Sequence, residues 1–353
     1  MHMNRIVFDC ERMKYPNTGL YSYCLNLGTR LQQTLHQNAQ LTFFIPPAVK
    51  KIFGSQSSNI IQHSYQKFWL PSLKDYHIWH ATYQGSQYLP QLNKKIKVVL
   101  TIHDLNFMHD PRKSEAKKKK YLKVLQHNID RSAAIICISE FAKSDVLQYC
   151  ATKNKPIYVI HNGTNSLEKP GLFGNSYKPR TRFLFSIGVM ERKKNFHVLL
   201  PLLQQNKDME LLIAGQPNDR EYIDYIISMA RELGVEEKLK VLGAISEEEK
   251  SWYYENCYAF TFPSLSEGFG LPVTEAMSVG KPLFLSDKTA LPEIGQDIAF
   301  YFNDFNSAHM QKVFIDGMQQ YKTEKMQDAI KLRGQDFCWQ KAAQQYINVY
   351  QSL

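Results

Sequence analysis

Residues 264–277 read SLSEGFGLPVTEAM, and this segment combines two glycines, a proline and two glutamates. It follows an apolar run at Ala259–Phe262, so the pattern predicts a buried strand, a glycine turn and a helix that begins near Pro272. Gly268 and Gly270 carry no Cβ, which lets the backbone come close to a ligand. Because the amides and the dipole of a helix start attract negative charge, the segment predicts a site for a diphosphate.

The two glutamates of this segment, Glu267 and Glu275, would repel a bound anion unless they accept hydrogen bonds from hydroxyl groups. Sugar and ribose hydroxyls meet that requirement. Three other interpretations remain open: a dinucleotide fingerprint with Val273 at the third glycine position, a hydrolase carboxylate pair, and a solvated helix start. The glycine turn favours the phosphate site, because a hydrolase pair does not need it.

A second motif lies at residues 188–195, which read GVMERKKN and follow the apolar run Arg182–Ile187. Three adjacent cations at the carboxyl end of a first parallel strand would stabilise the negative charge that a departing diphosphate gains. The alternative is a solvated basic loop. The chain contains no Asp-x-Asp sequence, and His77 and His80 are predicted on opposite faces of a strand, so the sequence predicts no metal site.

Short β-rich runs alternate with amphipathic helical patterns along the chain, as in βαβ units with parallel sheets. The predicted strands lie at 5–10, 41–45, 97–102, 133–138, 157–160, 182–187, 210–214, 239–242, 258–262 and 282–286. The predicted helices lie at 19–35, 115–128, 140–149, 195–204, 220–233, 247–256, 272–279 and 337–353. Segment 162–179 has the glycine and proline content of a linker. We therefore predict two doubly wound α/β domains with ligands at the carboxyl ends of their strands. The aromatic segment 65–89 gives no clear prediction.

The composition describes a folded chain of 353 residues, 44% of them hydrophobic, with no apolar run long enough to span a membrane. The six cysteines form no C-x-x-C pair, which favours reduced thiols and a cytoplasmic location. The charge is uneven, because residues 1–163 hold 22 Lys and Arg against 9 Asp and Glu, whereas residues 164–353 hold 21 against 24. The basic half predicts an anionic partner such as a phospholipid surface, a lipid-linked phosphate or a nucleic acid. Residues 115–123, EAKKKKYLK, fit either membrane-surface docking or a solvated helix.

These motifs together resemble family 4 of the retaining glycosyltransferases. Glu267 and Glu275 match the family's E-x7-E motif. Residues 188–195 match its G-x-x-x-x-R-K-N loop, with Lys193 in place of the usual arginine. Residues 241–246, VLGAIS, are similar to the family segment whose backbone reads the nucleobase.

Shorter motifs in the first half extend the resemblance. Residues 103–105, HDL, are similar to the family's H-D-L, whose histidine contacts the transferred sugar. Residues 18–20, TGL, lie where the family has a glycine pair at the donor diphosphate, and only Gly19 remains here. Residues 138–141 and 159–163 are similar to its S-E-F turn and its V-I-P-N-G linker, with histidine for proline in the latter.

The resemblance implies the GT-B fold, an α/β architecture in which two doubly wound Rossmann-like domains face a central cleft. It implies an acceptor-binding domain at residues 1–165 and a nucleotide-sugar donor-binding domain at residues 179–335. A crossover helix at residues 336–353 is expected to pack back on the first domain.

The resemblance also implies roles for individual residues. Catalytic roles are expected for His103, Glu267 and Lys194. Donor contacts are expected for Gly19, Arg192, Lys193, Lys194, Ile245, Gly268, Phe269, Gly270, Leu271 and Glu275. It further implies retention of the anomeric configuration, no metal ion, and no cofactor beyond the nucleotide-diphosphate sugar that serves as donor.

The expected activity is transfer of a hexose-type sugar from that donor to a saccharide or lipid-linked acceptor, in the synthesis of cell-envelope polysaccharide or lipopolysaccharide. The expected location is cytoplasmic and peripheral on the inner face of the plasma membrane, with an anionic membrane surface as a partner. The alternatives are a nucleotide-sugar epimerase or a phosphorylase on the same fold. A nucleic-acid-binding module would fit the basic half, but no nucleic-acid-binding fingerprint occurs, so no nucleic-acid partner is expected.

Overall fold

The computed structural model describes residues 4–16, 18–35 and 39–353. The chain forms two compact units. The first contains the residues up to Gly163 together with Phe337–Leu353, and the second contains Thr164–Asp336. Each unit is built on a parallel β-sheet with flanking helices, which confirms the predicted α/β fold class.

The sheet of the first unit has seven strands. They are β1 (Asn4–Asp9), β2 (Ala39–Ile45), β3 (Ser58–Ile61), β4 (Ile78–Ala81), β5 (Lys97–Ile102), β6 (Ala134–Cys137) and β7 (Ile157–Val159). They pair in parallel in the order β3-β2-β1-β4-β5-β6-β7. The helices that follow these strands are α1 (Gly19–Thr34), α2 (Asn106–His109), α3 (Glu115–Arg131) and α4 (Glu140–Tyr149).

One face of this sheet packs against α3 and α4. Val7, Trp79 and Leu100 lie in the same buried cluster as Leu125 of α3 and Val146 of α4. Central strands of a parallel sheet are covered on both faces and therefore read as near-continuous apolar runs. This is why β5 and β6 could be predicted from the sequence.

The sheet of the second unit has six strands. They are β8 (Arg182–Ile187), β9 (Met209–Ala214), β10 (Leu239–Gly243), β11 (Ala259–Phe262), β12 (Leu283–Ser286) and β13 (Phe300–Phe302). They pair in parallel in the order β10-β9-β8-β11-β12-β13. The helices are α5 (Leu200–Gln205), α6 (Arg220–Glu232), α7 (Glu247–Asn256), α8 (Leu271–Ser278), α9 (Leu291–Gly295), α10 (Ser307–Thr323) and α11 (Gln327–Gly334).

The last helix, α12 (Trp339–Gln351), belongs to the first unit and packs against α1. The Tyr23 hydroxyl donates to the Tyr346 hydroxyl at 2.8 Å, and the Tyr350 hydroxyl lies 2.6 Å from Nδ1 of His80. Burial and then the neighbouring His103 lower the pKa of His80 to about 3, so its ring is neutral. A buried polar network therefore fixes how α12 docks.

Several elements differ from the sequence prediction. The strand β3 was not predicted. The strand β4 was considered only through His77 and His80, and it lies inside the aromatic segment that gave no clear pattern. The strand β13 and the helices α9 to α11 were also missed. The helix predicted at 195–204 is the shorter α5, because Asn195 adopts φ 58° and a 3-10 turn at Phe196–Leu199 precedes the helix. Among the described residues, no helix combines the length and the apolar character needed to cross a membrane.

Candidate functional site

Two loops of the second unit bring a lysine and a glutamate together. The strands β8 and β11 are neighbours in the sheet, so the loops that follow them meet at its carboxyl edge. The Leu265 amide donates to the Lys193 carbonyl at 2.8 Å, which ties the two loops together. Nζ of Lys194 then lies 2.5 Å from Oε1 of Glu267 and 5.0 Å from the centre of the Phe262 ring. The residues of the two sequence motifs are thus in direct contact.

This ion pair is largely shielded from water, since the Lys194 and Glu267 side chains are 11% and 14% exposed. Burial alone would raise the pKa of Glu267, but the charges of Lys194 and Lys193 and the hydrogen bond from Lys194 outweigh burial and lower it. Glu267 is therefore ionised at neutral pH. Its amide donates to the Thr289 hydroxyl at 2.9 Å, which fixes the loop backbone.

The glycine turn ends at a helix start, as the sequence predicts. Gly270 is the N-cap of α8 and has φ 116°, a conformation that favours glycine. A Cβ at this position would lie 3.0 Å from Cδ2 of Leu291. Pro272 occupies the first turn of α8, where its missing N–H costs nothing. The first amides of a helix have no intrahelical acceptor, so this end of α8 can hold an anion.

Glu275 lies inside α8 and is only 4% exposed. Its Oε1 accepts from Nδ2 of Asn165 at 2.8 Å and from Nζ of Lys250 at 3.3 Å, and its Oε2 accepts from the Tyr254 hydroxyl at 3.0 Å. A carboxylate offers about four acceptor sites, so these three donors leave one for the hydroxyl of a ligand.

Sequence reasoning missed the three partners of Glu275. Burial alone would lower the pKa of Lys250, but Glu275 and Glu247 outweigh burial and raise it, so the ammonium is charged beside the carboxylate. Lys250 and Tyr254 are four residues apart on α7 and therefore share a helix face. That spacing is visible in the sequence, but nothing in the sequence shows that this face meets α8.

The other two cations of the basic motif lie elsewhere. The Arg192 guanidinium lies 5.7 Å and 5.5 Å from the ring centres of Tyr222 and Tyr225 of α6. Nζ of Lys193 lies 3.9 Å from Oε2 of Glu191, and its side chain is 38% exposed. Of the three adjacent cations, Lys194 is the one that contacts Glu267.

Ile245 lines a groove of about 880 Å³ within the second unit. The groove runs along the edge strand β10 and is closed on one side by residues 173–177. Its lining includes neither Glu267 nor Lys194. The structure therefore places Ile245 beside a cavity, but one that is separate from the ion pair.

In the first unit, His103 follows β5 and is buried. Its Nε2 lies 2.8 Å from the Thr82 carbonyl oxygen, so Nε2 carries the proton and Nδ1 is left as an acceptor. Burial, helped by Arg12 and opposed by the Thr82 hydrogen bond, lowers the pKa of His103 to about 4. The Tyr23 ring packs edge-on against the imidazole with ring centres 4.6 Å apart. His103 is thus a neutral, oriented acceptor at pH 7.

Gly19 begins α1 after its N-cap, Thr18, whose hydroxyl accepts from the Tyr21 amide at 3.2 Å. No atom of the described residues would lie within 4 Å of a Cβ at Gly19, so the start of this helix is open. Gly19 therefore leaves room for a ligand at the N-terminus of α1.

A buried carboxyl pair beside this helix start was not anticipated. The Ser86 hydroxyl lies 3.0 Å from Oδ2 of Asp9 and 3.1 Å from Oε2 of Glu11. A single hydroxyl proton cannot serve both carboxylates, and burial raises the pKa of both groups, that of Asp9 further through the charge of Glu11. Oδ1 of Asp9 also accepts from the Glu11 amide at 2.9 Å, at the point where the turn Glu11–Lys14 begins.

The described residues include no group of three or more His, Cys, Asp or Glu side chains that could hold a metal ion. His77 accepts from the Arg5 amide at its Nδ1, and His80 bonds to Thr101 and Tyr350. Metal independence of the reaction stays a prediction.

Two doubly wound α/β units with parallel sheets are the architecture of the GT-B fold. Residues 173–331 match the family model described as glycosyl transferases group 1, and residues 22–166 match the model described as glycosyltransferase family 4. Together the two models cover most of the chain, which is therefore a glycosyltransferase.

Two relatives with similar sequences are named as mannosyltransferases. The O-antigen chain mannosyltransferase B of Escherichia coli is 27% identical, over 99% of this chain and 100% of that protein. The serotype-specific mannosyltransferase WbdA of Escherichia coli is 29% identical over 58% of this chain, which corresponds to 27% of that longer protein.

The solved structures show the same fold. Sucrose-phosphate synthase of Thermosynechococcus elongatus has a TM-score of 0.76 at 17% identity and covers 99% of this chain and 98% of its own. HepE of Anabaena, in complex with UDP and glucose, has a TM-score of 0.73 at 17% identity over the full length of both chains.

Proposed function

We propose that this glycosyltransferase moves a mannose or related hexose from a nucleotide-diphosphate sugar to a saccharide of an O-antigen or similar envelope polysaccharide, with retention of the anomeric configuration and without a metal ion. The names of the relatives support the sugar and the acceptor class. The observation that carries the proposal is the contact of Lys194 with Glu267 beside the start of α8.

Lys194 would neutralise the leaving diphosphate. In the resting protein its ammonium is paired with Glu267 in a poorly hydrated position beside the start of α8, and it would exchange this partner for a phosphate oxygen. The amides at the start of α8, from Gly268 to Leu271, would bind the same phosphates. Lys193 and Arg192 would add positive charge at longer range.

Glu267 and Glu275 would accept hydrogen bonds from the donor. As Lys194 turns towards the phosphate, Glu267 becomes available to a hydroxyl of the transferred sugar. The remaining acceptor site of Glu275 would take a ribose hydroxyl, with Asn165 and Tyr254 holding the carboxylate in place. The backbone near Ile245 would contact the base.

In the first unit, His103 and Gly19 would each bind a ligand group. The neutral ring of His103 accepts through Nδ1 and would hydrogen-bond a sugar hydroxyl without adding charge. The open start of α1 at Gly19 would offer backbone amides to an anion.

The test is a reaction of the purified chain with GDP-mannose, UDP-glucose and related donors, with a mannose-containing oligosaccharide as acceptor. The anomeric configuration of the product is read by NMR, and the reaction is repeated with EDTA. We expect a retained linkage and the same turnover with EDTA. An inverted product, or loss of turnover with EDTA that a divalent cation restores, would refute the corresponding part of the proposal. Conversion of the donor without acceptor into an epimer would instead support the epimerase alternative.

A further inference from the structure

The first unit exposes large aromatic side chains on a short turn. Phe68 is 90% exposed and Trp69 is 71% exposed, and Tyr65 on the same turn is also exposed. Such side chains cost free energy in water, and a group of them on a surface marks a site that another surface covers. We call residues 65–69 the aromatic turn.

The aromatic turn belongs to a layer that covers one face of the sheet of the first unit. Lys67 lies 5.9 Å from the ring centre of Tyr88, which links the turn to the loop at residues 84–96. This loop is held to α3, because Arg131 donates to the carbonyls of Pro90, Asn93 and Ile96. Side chains of the loop and of α3 pack in the same buried cluster beneath. The turn, the loop and α3 are therefore one continuous layer, which we call the outer layer.

The outer layer is strongly basic. Its loop carries Lys94 and Lys95 just after the exposed Leu92. Along α3 the exposed lysines are Lys117, Lys119, Lys120 and Lys123, and among the described residues none of these four has a carboxylate within 4.0 Å. Glu115, the acidic residue in the first turn of α3, pairs with Lys118 at 3.0 Å. The positive charge of the layer is thus largely uncompensated.

We propose that the outer layer docks on an anionic lipid bilayer, with Phe68 and Trp69 inserted among the headgroups and the lysines of the loop and of α3 on the phospholipid phosphates. Tryptophan and tyrosine are enriched at the membrane interface, and lysines beside them add attraction to anionic lipids. A protein partner fits this surface less well, because lysine is depleted in the buried parts of protein interfaces. The proposal concerns a surface and does not depend on the sugar-transfer chemistry.

The fluorescence of Trp69 reports directly on insertion of the aromatic turn into a membrane. Of the four tryptophans, Trp79 and Trp339 are buried and Trp252 is half-buried, so Trp69 is the exposed one. The full chain is mixed with vesicles of phosphatidylcholine alone or of phosphatidylcholine with phosphatidylglycerol, without any saccharide lipid. We expect co-sedimentation and a blue shift of the emission with the anionic vesicles, weakened by added salt.

The variants separate insertion from simple attraction. Phe68→Ser with Trp69→Ser should weaken the partition on the order of tenfold to a hundredfold, and Trp69→Phe should remove the blue shift while binding is kept. Leu332→Ser is the matched control, because Leu332 is an exposed apolar residue of the second unit and should leave binding unchanged. Absence of binding to anionic vesicles overturns the proposal. Binding without a blue shift, or binding that the double variant leaves unchanged, overturns the insertion of the aromatic turn.

Discussion

Lys194 can reach Glu267 because the backbone hydrogen bond from Leu265 to Lys193 holds the loops after β8 and β11 together. The ammonium is therefore preorganised where a leaving phosphate would gain charge. We expect Lys194→Ala to lower turnover on the order of 10²–10³-fold, because that charge would be unstabilised. Steady-state kinetics with donor and acceptor measures the effect.

The matched control for this variant is Lys207→Ala, which removes an exposed lysine of the same unit. Turnover of Lys207→Ala should stay normal. If Lys194→Ala retained normal turnover with an unchanged circular dichroism spectrum, Lys194 would have no part in stabilising the leaving group.

Glu267 gives a pH dependence of stability. Its folded-state pKa is lowered below the ordinary value of 4.5, so its contribution to the free energy of unfolding is present above that value and is lost as the pH falls through the folded pKa. Glu267→Gln should therefore destabilise the protein most at pH 7, and the difference from the parent should shrink as the solution is acidified below pH 4.5. Urea unfolding over this range measures it. The exposed Glu221→Gln serves as control, and an equal, pH-independent loss for Glu267→Gln would contradict the assignment.

At the scale of the element, the ends of β8 and β9 are in close contact. Gly215 has φ 145°, and a Cβ built on it would lie 1.8 Å from the Gly188 carbonyl oxygen, so the two loops must separate if a side chain is added. Gly215→Ala should cost about 3 kcal/mol of stability and should also displace the loop that carries Lys194. Urea unfolding measures the loss.

The comparison for that variant is Gly174→Ala, where a Cβ would meet no atom within 4 Å in the part of the chain that the structure describes. Gly174→Ala should be close to neutral. Equal stability of the two variants would mean that the contact between the loops is not tight in solution.

The docking of α12 depends on a buried hydrogen bond. Tyr350→Phe removes the hydroxyl from Nδ1 of His80, and the fully buried ring nitrogen is left without its partner. We expect a loss of about 1–3 kcal/mol in the free energy of unfolding at pH 7. Tyr65→Phe, at an exposed position of the same unit, should change it little. A neutral Tyr350→Phe would mean that water replaces the hydroxyl.

Elements with a strong local pattern could be predicted, and those defined by tertiary contacts could not. The strands β8 and β11 and the turn before α8 were found because apolar runs, glycines and proline mark them in the sequence. The strand β4 could not be given bounds, although His77 and His80 were expected on a strand, because the surrounding tyrosines and tryptophans hide any alternation. The partners of Glu275 were missed because Asn165 is 110 positions away in the chain and the contact depends on the fold.

At the scale of the molecule, the two units differ in charge and each has its own core. The basic half and the nearly neutral half visible in the sequence correspond closely to the two units. Each unit contains a buried hydrophobic cluster of its own among the described residues, which gives each its own source of stability. Because of this division, the unfolding transition that a ligand or a substitution shifts shows which unit it affects.

Because each unit has its own core, we expect calorimetry to resolve two unfolding transitions. A nucleoside diphosphate at about a hundredfold excess over its Kd should stabilise the second unit by about 2.7 kcal/mol and leave the other transition in place. Lys194→Ala should reduce that shift, whereas Tyr350→Phe should lower the other transition and keep the shift. The opposite result is a nucleotide that raises only the temperature of the unfolding transition that Tyr350→Phe lowers. That result would place the phosphate site in the first unit and would contradict the role assigned to the start of α8.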